Sequence, residues 1–387
     1  RELYEQAERK TSIRKKKIPA AELFSKFIAQ RGDTGRKYVM NTDHANDHGS
    51  FIAEKAAIHM SNLCTEITLP TTPLKSIDDE EAEIATCNLG AINWGNIKEP
   101  AGFERPAQLL VKALNELIDY QEYPVIAAEL ATKARRPLGI GIINFAFWLA
   151  KNGSNYSEPN LKLIDEWTEA WSYYLIKASS DLAFTDGPCP KSDETKYSQG
   201  ILPVDTYKTT VDELVPNRER MPWKSLRNRL MKYGIRNSTL MALMPSETSS
   251  QISNATNGIE PPKSLVTVKT SKDGILPQVV PQYHHLKNKY ECLWDMKSPV
   301  GYLHICAVLQ KWIDQGISVN TSYNPEHFPK EEIPESVMLE HMIMFYQQGG
   351  KQLYYNNVND GATDDEDAPE EGEMEPIIED DCSACKI

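Results

Sequence analysis

Pro137-Leu138-Gly139-Ile140-Gly141-Ile142-Ile143 is an apolar run set off by a proline. A short, wholly apolar run with β-branched residues reads as a strand buried on both faces. Upstream, Pro106 to Tyr120 carries Leu109, Leu110, Ala113, Leu114 and Leu117 at helical spacing. Downstream, Leu161 to Leu182 places Trp167, Trp171, Leu175, Ala178 and Leu182 along one helical stripe, the pattern of a packed core. Further out, Arg36 to Asn41 and Ser264 to Val268 read as strands. Ala20 to Arg31 reads as an amphipathic helix with Leu23, Phe24, Phe27 and Ile28 on one face, and Gly301 to Gln315 and Glu335 to Gln348 as further helices. Strands alternate with helices and no repeat period is visible, so the class is α/β with many helices.

The 387 residues allow two or three folding units or one large one, with core enough to need no disulfide or metal staples. The net charge is −13, and it is unevenly placed. Asp360 to Ile387 holds twelve acids against one base, Lys386, and so carries eleven of the thirteen net negative charges. The remaining body is nearly neutral. Such a tail buries too little to offset the entropy of ordering and is expected to be disordered. Net acidity gives no support for a nucleic-acid surface. The basic run Arg14-Lys15-Lys16-Lys17 reads as the solvated end of a charged helix starting at Arg1. No run of 18 apolar residues exists, so no transmembrane helix is expected. The start at Arg1 lacks a methionine and is not a signal peptide. Seven cysteines, an odd number, do not form a secreted disulfide framework and point to a reducing cytoplasm.

Four segments carry chemistry. In Asn62-Leu63-Cys64-Thr65-Glu66, an extended backbone would set amide, thiol and carboxyl on one face. That trio can hold a hydroxyl, exchange a hydrogen atom and take a proton, or be a buried cysteine beside surface polar residues. Thr248 to Gln251, within Met244-Pro245-Ser246-Glu247-Thr248-Ser249-Ser250-Gln251, fits a capping box, and small hydroxyl residues at a helix N-terminus suit an anion. Tyr354-Tyr355 reads as core packing, a sheet edge or a relay for an electron and a proton. The terminal Cys382-Ser383-Ala384-Cys385 is half a zinc site or an exposed dithiol. Zinc takes about four ligands and the other cysteines are singles, which favours a redox pair. Its tether reaches about 90 Å at full extension.

Together these segments resemble the large (α) subunit of class I ribonucleotide reductase, nearest to the class Ia enzymes of enteric bacteria and their phages. The likeness rests on Asn62-Leu63-Cys64-Thr65-Glu66-Ile67, Cys87 in its Asn-rich loop, Met244 to Pro262, Leu353-Tyr354-Tyr355 and the terminal Cys-Lys-Ile. Arg135 to Gly141 and Gly274-Ile275-Leu276 fit as well. The resemblance implies a fold and three regions. Residues 1–195 would form the second part of a ten-stranded α/β barrel with a finger loop near residue 64. Residues 196–358 would be a mostly helical α/β region with a phosphate-binding segment and the tyrosine relay, and 359–387 a flexible acidic tail with a redox pair.

It also implies roles. Cys64 would be the thiyl-radical cysteine that takes the 3′ hydrogen of a ribonucleoside diphosphate. Glu66 would be the base on the 3′ hydroxyl and Asn62 the amide that orients it. Cys87 would be one of two cysteines that reduce the 2′ carbon. Ser246, Glu247, Thr248 and Ser249 would cradle the diphosphate. Tyr355 and Tyr354 would relay the radical, with Tyr38 and Arg36 beside them. Cys382 and Cys385 would re-reduce the active-site disulfide and be recharged by thioredoxin or glutaredoxin.

No metal or cofactor would be bound by this chain. The radical would come from the tyrosyl radical and diiron centre of a small (β) subunit. Nothing here matches the family's N-terminal regulatory domain and first half-barrel. An N-terminal half, holding the partner of Cys87, is therefore an expected partner, and this chain alone is expected to be inactive. The Cys382–Cys385 spacing is shorter than in the nearest relatives. Other readings are a non-catalytic remnant that binds the small subunit, and a piece cut from an intact subunit. The terminal dithiol disfavours a glycyl-radical enzyme, and the tyrosine pair favours class I over the cobalamin class.

Overall fold

The computed structural model describes residues 2–271, 274–359 and 361. The acidic segment from Asp364, with Cys382 and Cys385, lies outside the described residues. The described strands are β1 (Val39–Met40), β2 (Asn88–Asn93), β3 (Leu138–Ile143), β4 (Val266–Ser271), β5 (Gly274–Val279), β6 (Thr321–Tyr323), β7 (Gln352–Leu353) and β8 (Asn356–Val358).

The Leu138–Ile143 run is a strand with all six residues buried. β2 pairs with it in parallel, Asn88 against Leu138 through Asn93 against Ile143. On the other side of β3, Ile140 bridges Met241 in parallel, and Leu243 then bridges Ile317 in parallel. Tyr354 N–H donates to the Val319 carbonyl at 2.7 Å, and β6 runs parallel to β8 beyond it. A parallel arc thus passes through β2, β3, residues 240–243, residues 315–323 and residues 354–358. β1 closes antiparallel on β7, and β4 on β5.

Parallel strands need crossovers, and helices supply them. Glu104–Tyr120 and Leu161–Asp186 cover the arc on the side of a large core built around Trp94, Trp148, Trp171, Trp223 and Trp312. This core draws side chains from both sides of residue 195. Asn160 caps the long helix, accepting from Leu163 N–H at 3.2 Å. A smaller core of Ala45, Phe51, Ala56, Ile58, Ile67, Leu69 and Ala242 lies beneath the 62–66 loop. Ile67 and Leu69 anchor its outgoing end, each burial contributing about 1.5–3 kcal/mol.

Several sequence expectations shift. The buried stripe of Glu104–Tyr120 is Ala107, Val111, Leu114 and Ile118, while Leu109 and Leu117 face outward. Both stripes have helical spacing; contact with Leu161–Asp186 selects one. In Ala20–Thr34 the buried pair is Ile28 and Arg31, and Leu23 and Phe24 are exposed. The first helix ends at Arg9, so Arg14 to Lys17 lies on non-helical exposed chain. The Gly301 helix ends at Gln310, and Gln315 lies in the turn that follows. No helix among the described residues is long and apolar enough to cross a membrane.

Candidate active site

Asn62, Cys64 and Glu66 come together, but across a turn instead of along an extended strand. Thr65 N–H donates to the Asn62 carbonyl at 3.1 Å, and Thr65 has φ 69°. That left-handed conformation costs a β-branched residue about 1–3 kcal/mol, a strain that clusters at functional loops. The turn brings Asn62 Nδ2 to Glu66 Oε1 at 2.8 Å, and Asn62 Oδ1 accepts from Ile67 N–H at 3.0 Å. The amide is therefore held at both ends.

Glu66 is only 2% exposed. Burial pushes its carboxyl up, and hydrogen bonds from its own backbone, Asn62 and Ser318 pull the other way. Ser318 Oγ lies 2.5 Å from the Cys64 carbonyl oxygen and 3.0 Å from Glu66 Oε2. One hydroxyl proton serves only one acceptor at a time. With Glu66 ionised, the hydroxyl is shared between carboxylate and carbonyl. With Glu66 protonated, the carboxyl can donate to Ser318 and Ser318 to the Cys64 carbonyl. Gly316 N–H donates to the Glu66 carbonyl at 2.8 Å, which ties the loop to the parallel arc.

The Cys64 thiol faces the Tyr354 hydroxyl, Sγ to Oη 3.6 Å. Tyr354 is nearly buried. Burial first, then Tyr355 and Cys64, raises its phenol far above the ordinary range. Its ring centroid lies 4.0 Å from that of Tyr355 and 4.7 Å from that of Tyr38, and Tyr38 meets Tyr355 edge-on at 5.5 Å. Contact with the Tyr354 and then the Tyr38 hydroxyl holds Tyr355 below the ordinary phenol range. The Arg36 charge also lowers Tyr355, while at Tyr38 burial wins over that charge and raises the phenol. The thiol of Cys64 and the phenols of Tyr354 and Tyr355 can pass a hydrogen atom stepwise, with Tyr38 packed beside both tyrosines.

Cys87 sits just before β2. Gln315 Nε2 lies 3.8 Å from its sulfur and also donates to the Leu138 carbonyl at 2.9 Å. Burial pushes the Cys87 thiol far up, so at neutral pH it is the protonated form. Glu66 and Asp314 add to that shift.

The 246–249 segment differs from its expected shape. Ser249–Ser253 is a short 3₁₀ turn, and Thr248 makes no side-chain cap bond. Ser246 turns inward, its N–H donating to Asn257 Oδ1 at 2.8 Å and its hydroxyl accepting from Gly258 N–H at 2.8 Å. Thr248 itself has helical backbone angles, φ −90° and ψ −46°, instead of the extended ones an N-cap adopts, so the capping box does not form. Glu247, Thr248 and Ser249 are exposed. An open cleft of about 1420 Å³ borders this segment, and Arg36, Glu247, Asn257, Glu260, Asn320 and Tyr355 line it.

Sequence reading missed Arg31, Gln315, Ser318 and Asn320. Arg31 donates to the carbonyls of Tyr354 at 2.9 Å and Tyr355 at 3.2 Å, and burial lowers it to about 10. Its one visible signal is its place three residues after Ile28, on the same helical face. Among the described residues, no group of three or more His, Cys, Asp or Glu could hold a metal.

The family described as the ribonucleotide reductase barrel domain matches residues 1–356. The chain belongs to that family. Among similar proteins, the ribonucleoside-diphosphate reductase subunit alpha of Haemophilus influenzae is 49% identical across all of this chain and 50% of its own length. The ribonucleoside-diphosphate reductase 1 subunit alpha of Escherichia coli K12 is likewise 49% identical across all of this chain and 50% of its own length, and the ribonucleoside-diphosphate reductase subunit alpha of Enterobacteria phage T4 is 44% identical over the same shares. The chain spans about half the length of the curated relatives it matches.

Proposed function

We propose that this chain is the C-terminal catalytic portion of a ribonucleoside-diphosphate reductase large subunit. It would work with an N-terminal half and with a small subunit whose tyrosyl radical and diiron centre supplies the radical. The observation that carries the reading is the 3.6 Å approach of Cys64 Sγ to Tyr354 Oη, where Tyr354 packs at a tilt against Tyr355 and Tyr38.

In this reading 62–66 is the finger loop of the barrel. A radical arriving at Tyr355 passes to Tyr354, which takes the hydrogen atom of the Cys64 thiol. The Cys64 radical takes the 3′ hydrogen of the substrate, and Glu66 takes the 3′ hydroxyl proton while Asn62 holds that hydroxyl. The 2′ hydroxyl leaves as water on receiving a proton. Cys87 and a second cysteine outside this chain supply two electrons and become a disulfide. Cys64 then returns the hydrogen to the 3′ carbon. The protonated state of Cys87 suits a proton donor. Glu247, Thr248 and Ser249 meet the diphosphate from the exposed side, and Ser246 shapes their loop from within. Cys382 and Cys385 re-reduce the disulfide and draw electrons from thioredoxin or glutaredoxin. The reaction belongs to deoxyribonucleotide synthesis in the cytoplasm, that of the host if the gene is a phage's.

The test mixes this chain with the matching N-terminal half, the small subunit and a thiol reductant, and follows CDP reduction. Turnover lost on Cys64→Ser supports the reading. Robust turnover by that variant overturns it.

A further inference from the structure

Two backbone N–H groups, far apart in sequence, fix the polarity of a side-chain chain along the cleft. Ser246 N–H donates to Asn257 Oδ1 at 2.8 Å. Tyr355 N–H donates to Asn320 Oδ1 at 2.9 Å. A backbone N–H only donates, so each asparagine must turn its oxygen toward it and its NH₂ away. Both NH₂ groups then meet one residue, Glu260. Asn257 Nδ2 donates to Oε2 at 3.0 Å, and Asn320 Nδ2 donates to Oε1. A carboxylate accepts at both oxygens and is the side-chain type that satisfies two donors in this way.

We propose that Glu260 is a positioning residue that locks both amides and so sets Ser246, under the proposed diphosphate loop, and the Tyr355 backbone, in the proposed relay, in one hydrogen-bonded frame. This rests on the reading of those two segments given above. A glutamine at 260 would offer one oxygen and one NH₂. One asparagine would then have to flip, and its NH₂ would face a backbone N–H, leaving two half-buried donors opposed. Such a mismatch is worth about a tenfold effect or more.

The polarity makes a reciprocal prediction. Asn320→Asp alone sets two carboxylates against each other. Combined with Glu260→Gln it restores every bond: the aspartate accepts from Tyr355 N–H and from the glutamine NH₂, and the glutamine oxygen accepts from Asn257. Glu260→Gln with Asn257→Asp does the same at the other end.

The four variants are compared with wild type in the assembled holoenzyme, reading kcat and KM for CDP, and by thermal unfolding. Glu260→Gln is expected to lower kcat/KM by about tenfold, through kcat if Asn320 flips and through KM if Asn257 does. Asn320→Asp alone should act mainly on kcat, and Asn257→Asp, added to Glu260→Gln, should bring both constants back to within about threefold of wild type, as should Asn320→Asp with Glu260→Gln. A single variant that fails to fold while its double folds supports the proposal equally. A Glu260→Gln enzyme with wild-type constants, or doubles as impaired as the singles, overturns it. If wild type itself shows no CDP reduction, the reductase reading fails. The polarity frame is then still decided by whether the doubles recover the melting temperature lost in the singles.

Discussion

Arg31 Nη1 donates to the backbone carbonyl of Tyr354 at 2.9 Å, and Nη2 reaches the Tyr355 carbonyl at 3.2 Å. A guanidinium from the second helix thus holds the backbone of both tyrosines. Arg31→Ala should destabilise the fold by about 1–3 kcal/mol, since it leaves the buried Tyr354 carbonyl without its charged donor, while the Tyr355 carbonyl keeps the Thr321 N–H at 3.0 Å. Arg31→Lys should recover little, because a point donor cannot span the two carbonyls as a fork does. Denaturant unfolding of the three proteins checks the order.

Tyr354→Phe removes the hydroxyl facing Cys64 and keeps the ring packed on Tyr38 and Tyr355. Turnover should fall below detection while the melting temperature stays within a few degrees of wild type. A Tyr354→Phe enzyme with normal turnover would remove the tyrosine from the route to Cys64.

Glu66 gives a pH signature. Burial raises its pKa, so it stays protonated to higher pH than an ordinary glutamate, and a base must be ionised to act. The acid limb of the kcat/KM profile should lie above the usual glutamate range. Glu66→Gln should lose about 10²–10⁴-fold in kcat and abolish that limb. Stability runs the opposite way. A raised folded-state pKa gives a contribution present below the unfolded-state value and lost as pH rises through the folded one. Glu66→Gln should therefore flatten the stability profile over that window.

Gly139 faces Cys87. A Cβ there would stand 2.6 Å from Leu89 Cδ2, 3.1 Å from Cys87 Sγ and 3.3 Å from Ala242 Cβ. Gly139→Ala should cost about 1–3 kcal/mol by overpacking and should slow alkylation or oxidation of Cys87 relative to wild type. Mass-spectrometric labelling of Cys87 reads the second effect.

Cys382→Ser with Cys385→Ser should abolish thioredoxin-driven turnover and leave turnover with dithiothreitol. Surviving thioredoxin-driven turnover would remove the shuttle role from the tail.

The α/β class, the buried strand at 138–143 and the tryptophan stripe of 161–186 were legible in the chain itself, because apolar periodicity reports local burial directly. The residues Asn62, Cys64, Glu66, Cys87, Tyr354 and Tyr355 stood out by type and order, and so did the family. Tertiary structure decided what these residues touch. Alternation placed Asn62 and Glu66 on one extended face, but Thr65 at φ 69° turns the chain and bonds them directly. Leu109 and Leu117 had the right spacing and the wrong face, because the choice of stripe belongs to the packing partner. Ser318, Asn320 and Glu260 carried no local signal of their roles, and Arg31 only its place on the helical face of Ile28. Apart from Asn257, three residues from Glu260, the partners that define their roles lie 35 to 324 residues away, and a hydrogen bond between segments so distant exists only once the parallel arc brings both ends to one place.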